Sequence, residues 1–81
     1  MSTIPVVVNG ESRDLPEGWT CRDLVADVTG KRIDADGNTE QGAAPGVAVA
    51  IDGDIVPRST WTATALAAGQ RVELVTAVQG G

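Results

Sequence analysis

Residues 6–30 decide the fold and read VVVNGESRDLPEGWTCRDLVADVTG. The apolar run from Val6 to Val8 ends at Asn9-Gly10, the residue pair that two-residue β-hairpin turns favour. Glu11 to Leu15 can return as a second strand, and Pro16-Glu17-Gly18 then breaks it. The stretch therefore begins with a predicted β-hairpin.

A helix is predicted directly after this hairpin. Thr20 and Asp23 have the spacing of a capping box, with Asp a shorter substitute for the usual Glu or Gln. Trp19 precedes the cap and Leu24 follows it at the spacing of a hydrophobic staple. Gly30 is placed to end the helix. Apolar residues recur at helical intervals at Cys21, Leu24, Val25 and Val28.

The second half of the chain predicts three more strands. Val47 to Ile51 alternates larger and smaller apolar residues, and Asp52-Gly53 turns the chain into Asp54 to Val56. Ser59 to Leu66 has the composition of a turn or short helical stretch. Arg71 to Val78 alternates again and predicts the last strand.

Residues 31–46 form the longest segment without a regular pattern. They are rich in Asp, Gly, Asn and Ala, which predicts a solvated connecting loop. Such a loop should be mobile and should tolerate shortening.

The order of these elements predicts an α+β fold in which one main helix packs across a mixed sheet of four to five strands. If the last strand lies beside the first, the result is a ubiquitin-like β-grasp domain. We expect this domain to span residues 1–78, including the flexible loop 31–46, and residues 79–81 to form a flexible tail. The predicted core consists of Val6, Val8, Leu24, Val28, Val49, Ile51, Val72 and Leu74.

Composition limits the classes of function. A chain of 81 residues has room for one domain. Its net charge of -5 argues against nucleic acid and favours a partner with a basic patch. Neither a secretory signal nor a long apolar span is present, so we expect a cytoplasmic protein that does not enter a membrane.

The residue types needed for catalysis are scarce. The chain has no His, no Tyr and a single cysteine, so the usual pairs of base and nucleophile cannot be assembled. This predicts that the protein is not an enzyme. Cys21 could donate sulfur if the helix N-terminus lowered its pKa, but its place on the apolar helix face favours a role in packing.

The loop acids do not match a calcium site. Asp34, Asp36, Asn38 and Glu40 alternate along the loop and suggest oxygen ligands. Counted from Asp34, however, Thr39 stands where the sharp-turn Gly belongs and Pro45 where the bidentate Glu belongs. We therefore predict no metal site.

The chain ends in Gly80-Gly81. Glycine has no side chain, so such an end can enter a narrow channel and place its carboxylate against an activated centre. Chain ends are often glycine-rich without a function, but this one follows a strand that would define its point of exit.

Two segments resemble the ThiS family of sulfur carriers: Gly46 to Trp61, GVAVAIDGDIVPRSTW, and Leu74 to Gly81, LVTAVQGG. The resemblance implies a β-grasp carrier for the thiazole branch of thiamine biosynthesis. A ThiF-type enzyme would adenylate the Gly81 carboxylate with ATP, and a sulfur donor protein would supply sulfur for a thiocarboxylate. A ThiG-type thiazole synthase would then receive the sulfur. The carrier itself would bind no cofactor.

This reading assigns the reaction to Gly81 and access of the tail to Gly80. Partner docking is predicted for Ile55, Arg58, Trp61, Val75 and Gln79. Trp61 could equally be a core residue. Alternatives are the small subunit of molybdopterin synthase, a protein modifier that forms isopeptide bonds, and a non-catalytic interaction module. The sequence leaves open the sulfur donor, the oligomeric state and the role of the loop.

Overall fold

Helices and strands follow the predicted order. The structure is a computed structural model and describes residues 2–40, 42 and 45–76. Within them, the strands are β1 (Thr3–Val8), β2 (Glu11–Pro16), β3 (Val47–Ile51), β4 (Asp54–Val56) and β5 (Arg71–Thr76). The helix α1 spans Cys21–Thr29, and a 3₁₀ helix spans Arg58–Ala63. No helix within this described part of the chain is long and apolar enough to cross a membrane.

The described strands form one mixed sheet in the order β2-β1-β5-β3-β4. β1 and β5 run parallel, with Val7 opposite Arg71 and Val8 opposite Val72. The other neighbouring strands are antiparallel. Apolar residues of α1 and of the strands pack into a common core. This is the ubiquitin-like β-grasp fold, so the predicted fold class is confirmed, including the pairing of the last strand with the first.

Local signals place α1 as predicted. The side chain of Thr20 accepts a hydrogen bond from the backbone N–H of Asp23, and the Asp23 carboxylate accepts one from the backbone N–H of Thr20. Gly30 ends the helix with φ 71° and donates its N–H to the carbonyl of Ala26 at 2.9 Å. The capping box and the glycine stop are therefore both present.

The core contains most of the predicted residues and several others. Val28 is 43% exposed, so its assignment to the core is wrong. It lies in the last turn of α1, beside exposed Asp27 and Gly30, and the helical period alone does not show which residues a neighbouring element covers. Ile51 is only half-buried. The core also includes Leu15, Cys21, Val25, Ile33, Trp61 and Leu66.

The loop after α1 is attached to the domain at several points. Ile33 is 3% exposed and belongs to the core, so the expectation of a solvated loop is wrong at this residue. Its carbonyl accepts a hydrogen bond from Nε of Arg22 at 2.7 Å. The Thr62 hydroxyl donates to the carbonyl of Ala35 at 3.2 Å and joins the loop to the 3₁₀ helix. Gly37, Thr39 and Pro45 are buried as well, and buried residues at such uneven spacing in a polar segment leave no period to detect. The loop's mobility remains a prediction.

The described part of β5 ends at Thr76. The predicted continuation of this strand to Val78 and the predicted tail, Gln79, Gly80 and Gly81, lie outside the described residues.

Candidate functional site

The sheet face opposite α1 carries an exposed apolar patch. Val75 on β5 stands opposite Ala48 on β3, and Ala50 on β3 stands opposite Ile55 on β4. Ala48 and Ala50 are two residues apart on one strand and therefore point to the same side. Ile55 is 72% exposed and Val75 65% exposed. We call Ala48, Ala50, Ile55 and Val75 the open-face patch.

A charged residue borders this patch. Glu73 on β5 is exposed and lies opposite Ala50, in the same cross-strand row as Ile55. A carboxylate at the border of an apolar patch favours a partner that presents a positive charge there. The arrangement suits a protein surface with an apolar centre and a basic edge.

Arg58 lies where the loop meets the 3₁₀ helix. Gly37 is buried against it, and a β-carbon at position 37 would collide with Cγ of Arg58 and crowd its carbonyl oxygen. The positive φ of Gly37, 84°, also favours glycine. Arg58 is exposed and is the first residue of the 3₁₀ helix, two residues after the end of β4.

Trp61 is a core residue. Its side chain is 1% exposed, and its indole N–H donates to the carbonyl of Val56 at 3.1 Å. A buried tryptophan with its one polar atom satisfied contributes packing and cannot contact a partner without unfolding. The prediction that Trp61 takes part in docking is therefore wrong, and the core alternative is correct.

Cys21 is also fully buried, at the first position of α1. Burial raises the pKa of its thiol to about 11, because the thiolate would lose its solvation. Sulfur chemistry needs the thiolate. The geometry supports the interpretation of Cys21 as a packing residue.

The Asp34 side chain stabilises a turn within the acidic loop. Oδ1 of Asp34 accepts hydrogen bonds from the backbone N–H groups of Asp36 and Asn38, both at 2.9 Å. Among the described residues, no group of three or more His, Cys, Asp or Glu side chains is arranged to hold a metal ion. The alternation of these residues reflects a local turn.

The sequence identified Asn9 only as a turn residue, but its side chain contacts β5. Oδ1 of Asn9 accepts a hydrogen bond from the backbone N–H of Leu74 at 2.8 Å, and Nδ2 donates to the carbonyl of Leu74 at 3.3 Å. These two residues are 65 positions apart. An Asn-Gly pair predicts the turn, but nothing in the local sequence indicates what the amide binds.

The structure thus joins Ile55 and Val75 in one patch and buries Trp61. Arg58 lies against Gly37 of the loop. Gln79, Gly80 and Gly81 lie outside the described residues. What can be located of the predicted site is the end of β5 that leads toward them.

Comparison with known protein families gives a match to the ThiS family over residues 6–81. The chain belongs to the ThiS family. The match begins within β1 and covers β2, α1, the other strands and Gly80-Gly81, which confirms the family resemblance. Comparison with curated proteins gives no match.

A solved structure supports the fold of this ThiS family member. The chain is similar to the crystal structure of the thiamine biosynthesis protein ThiS from Geobacter metallireducens, with 21% sequence identity and a TM-score of 0.67. The similarity covers 96% of this chain and 100% of the other. At this identity the likeness shows the β-grasp fold.

Proposed function

We propose that this chain is a sulfur carrier for thiazole formation in thiamine biosynthesis, and that its working group is the carboxylate of Gly81. The observation that carries the proposal is the ThiS family match, which continues through β5 to Gly81. Family membership supports the carrier role, and the identities of the reactive group and of the partners are part of the proposal.

The proposed chemistry has three steps. A carboxylate is a poor electrophile until one oxygen becomes part of a good leaving group. Attack of the Gly81 carboxylate on the α-phosphate of ATP releases pyrophosphate and forms an acyl adenylate. A sulfur nucleophile from the donor protein then attacks the acyl carbon, and AMP leaves with the C–O bonding electrons. With a persulfide as this nucleophile, the product is an acyl disulfide. Attack of a thiol on its donor-side sulfur breaks the S–S bond, releases the thiocarboxylate of Gly81 and leaves the donor and the thiol joined as a disulfide.

In this scheme the partner enzyme binds ATP and stabilises the developing charge. The carrier supplies the Gly81 carboxylate to the partner's active site. Gly80 and Gly81 have no β-carbon, which suits entry into a narrow channel. The carrier acts as a co-substrate and not as an enzyme.

We further propose that the open-face patch docks a ThiF-type adenylating enzyme and then a ThiG-type thiazole synthase. Ile55 and Val75 are large exposed apolar side chains on neighbouring rows of the sheet, and such patches mark interaction sites. The net charge of -5 favours a basic partner surface. Arg58 and Gln79 are proposed as additional contacts.

The test is to incubate wild-type, Gly81-deleted and Gly80→Ala protein with a ThiF-type enzyme, ATP and a sulfur source, and to measure intact masses. We expect replacement of one oxygen by sulfur in the wild type, none in the deletion variant, and much slower conversion of Gly80→Ala, because small positional errors at a reacting group are costly. Circular dichroism should show that all three are folded. An unmodified wild type, or equal modification of the deletion variant, would overturn the proposal.

The same measurement addresses the alternatives. A non-catalytic interaction module would remain functional without Gly81. A subunit of molybdopterin synthase or a protein modifier would also be adenylated, so the acceptor must be identified by adding a ThiG-type synthase. The ThiS family match favours thiazole formation.

A further inference from the structure

β5 has two neighbouring strands, but only one of them accompanies it to its described end. On one side, β3 pairs with β5 as far as Thr76, which lies opposite Val47. On the other side, the pairing with β1 ends at Val8 opposite Val72. Beyond Val72, therefore, the hydrogen-bonding groups on the β1 side of β5 need another partner.

Asn9 supplies that partner. Its backbone N–H donates to the carbonyl of Val72 at 2.9 Å, and its side-chain amide then binds both the N–H and the carbonyl of Leu74. The side chain thus extends the parallel ladder by one step after the chain of β1 has turned away. An amide is suited to this because it offers a donor and an acceptor together.

The turn alone does not require an amide. Asn9 has φ 50° and Gly10 φ 83°, and such two-residue turns accept Asn, Asp or Gly at the first position. Neither Gly nor an ionised Asp could bind both backbone groups of Leu74. The contact with β5 accounts for Asn more specifically than the turn does.

We propose that Asn9 is a positioning residue for the C-terminal end: it holds β5 at Leu74 on the side that β1 no longer covers. Together with β3, which pairs with the other side as far as Thr76, it sets the position of the last described residues before the reactive end. This inference rests on the proposed carrier function. Gly81 lies seven residues after Leu74, and a fully extended chain of that length spans roughly 25 Å. A shift of β5 at Leu74 would therefore change the point and the direction from which the residues before Gly81 start. Leu74 also precedes Val75, so the contact aligns the reactive end with the open-face patch.

The second hairpin turn provides a matched control. Asp52 has φ 50° and Gly53 φ 90°. The backbone N–H of Asp52 donates to the carbonyl of Arg71 at 2.8 Å, and its Oδ1 accepts the N–H of Arg71 at 3.0 Å. This side chain also holds β5, but at the opposite end of the strand.

The experiment compares Asn9→Gly with Asp52→Gly, because glycine preserves the positive φ of both turns while removing the side chain. The rate of thiocarboxylate formation is measured against carrier concentration with one ThiF-type enzyme. We expect kcat of Asn9→Gly to fall at least about tenfold through misplacement of the carboxylate, with KM changed by less than about twofold because the open-face patch is intact. In Asp52→Gly, both kcat and KM should equal the wild-type values. Asn9→Asp, which retains the acceptor for Leu74, should restore part of kcat.

Amide hydrogen exchange provides a readout independent of the partner enzyme. Exchange of the Leu74 N–H should accelerate in Asn9→Gly and not in Asp52→Gly. A wild type that forms no thiocarboxylate would contradict the proposed function itself. An active wild type together with an unchanged kcat in Asn9→Gly, or an equal loss in Asp52→Gly, would overturn the positioning role of Asn9 alone.

Discussion

The Asn9-Gly10 and Asp52-Gly53 turns have the same backbone form but hold opposite ends of β5. At the beginning of the strand, the backbone N–H of Asp52 already binds the carbonyl of Arg71, so only the N–H of Arg71 remains for the side chain. At Leu74, both backbone groups bind the side chain of Asn9. A carboxylate suffices in the first case, and an amide is needed in the second. The side chain of the first residue in each turn thus matches the backbone groups that the facing end of β5 leaves unpaired.

A pH series would separate effects on the whole domain from effects at one turn. Burial raises the pKa of Cys21 from 9.0 to about 11, so the folded state binds its proton more tightly than the unfolded chain. This contribution to stability is complete below about pH 9 and is lost as pH rises toward about 11. We expect the free energy of unfolding to fall over that window by an amount on the order of 2 kcal/mol.

The slope should be the same in wild type, Asn9→Gly and Asp52→Gly, because Cys21 lies on α1, away from both turns. Urea denaturation at each pH measures it. Cys21→Ala should lower stability at neutral pH through loss of packing but should flatten the slope. A slope that persists in Cys21→Ala would assign the pH effect to another group.

Docking and positioning should produce opposite kinetic signatures. Val75→Asp places a charge in the open-face patch at an exposed position, so the fold should be kept while binding is weakened. We expect KM to rise about tenfold, equivalent to about 1.4 kcal/mol, with kcat retained. Val75→Thr, similar in shape and uncharged, is the control. If Val75→Asp lowered kcat and left KM unchanged, the patch would not be the docking surface.

Exchanging the two turn residues tests the match between side chain and strand most directly. Asn9→Asp leaves the Leu74 carbonyl without its donor and should reduce the free energy of unfolding by about 1 kcal/mol. Asp52→Asn retains an oxygen for the N–H of Arg71 and should change stability by less than about 0.5 kcal/mol. Denaturant unfolding of both variants measures the difference. Equal losses would show that the side-chain chemistry at the two turns is interchangeable.

Features that depend on neighbouring residues were predictable from the sequence. The hairpin turns, the capping box of Thr20 and Asp23, and the helix stop at Gly30 all arise within a few residues. The family resemblance implied Ile55 and Val75 as docking residues, and both are exposed on the same face. Turns and helix ends depend on residues close together in the chain, so the sequence predicts them directly.

Features that depend on distant residues were not predictable from the sequence. A helical period gives the direction of Val28 but not what covers it, and polar neighbours conceal the burial of Ile33. The sequence allowed Trp61 either to fill the core or to face a partner. The hydrogen bond from its indole N–H to the carbonyl of Val56 places it in the core.

The sequence by itself determined the order of the strands and the helix and the turns between them, because these follow from residue type and short spacing. Only the tertiary structure decided which residues fill the core and that Asn9 binds Leu74 across 65 positions. The physical reason is that burial and hydrogen-bond partners depend on which distant segments pack together, and local spacing carries no information about that packing.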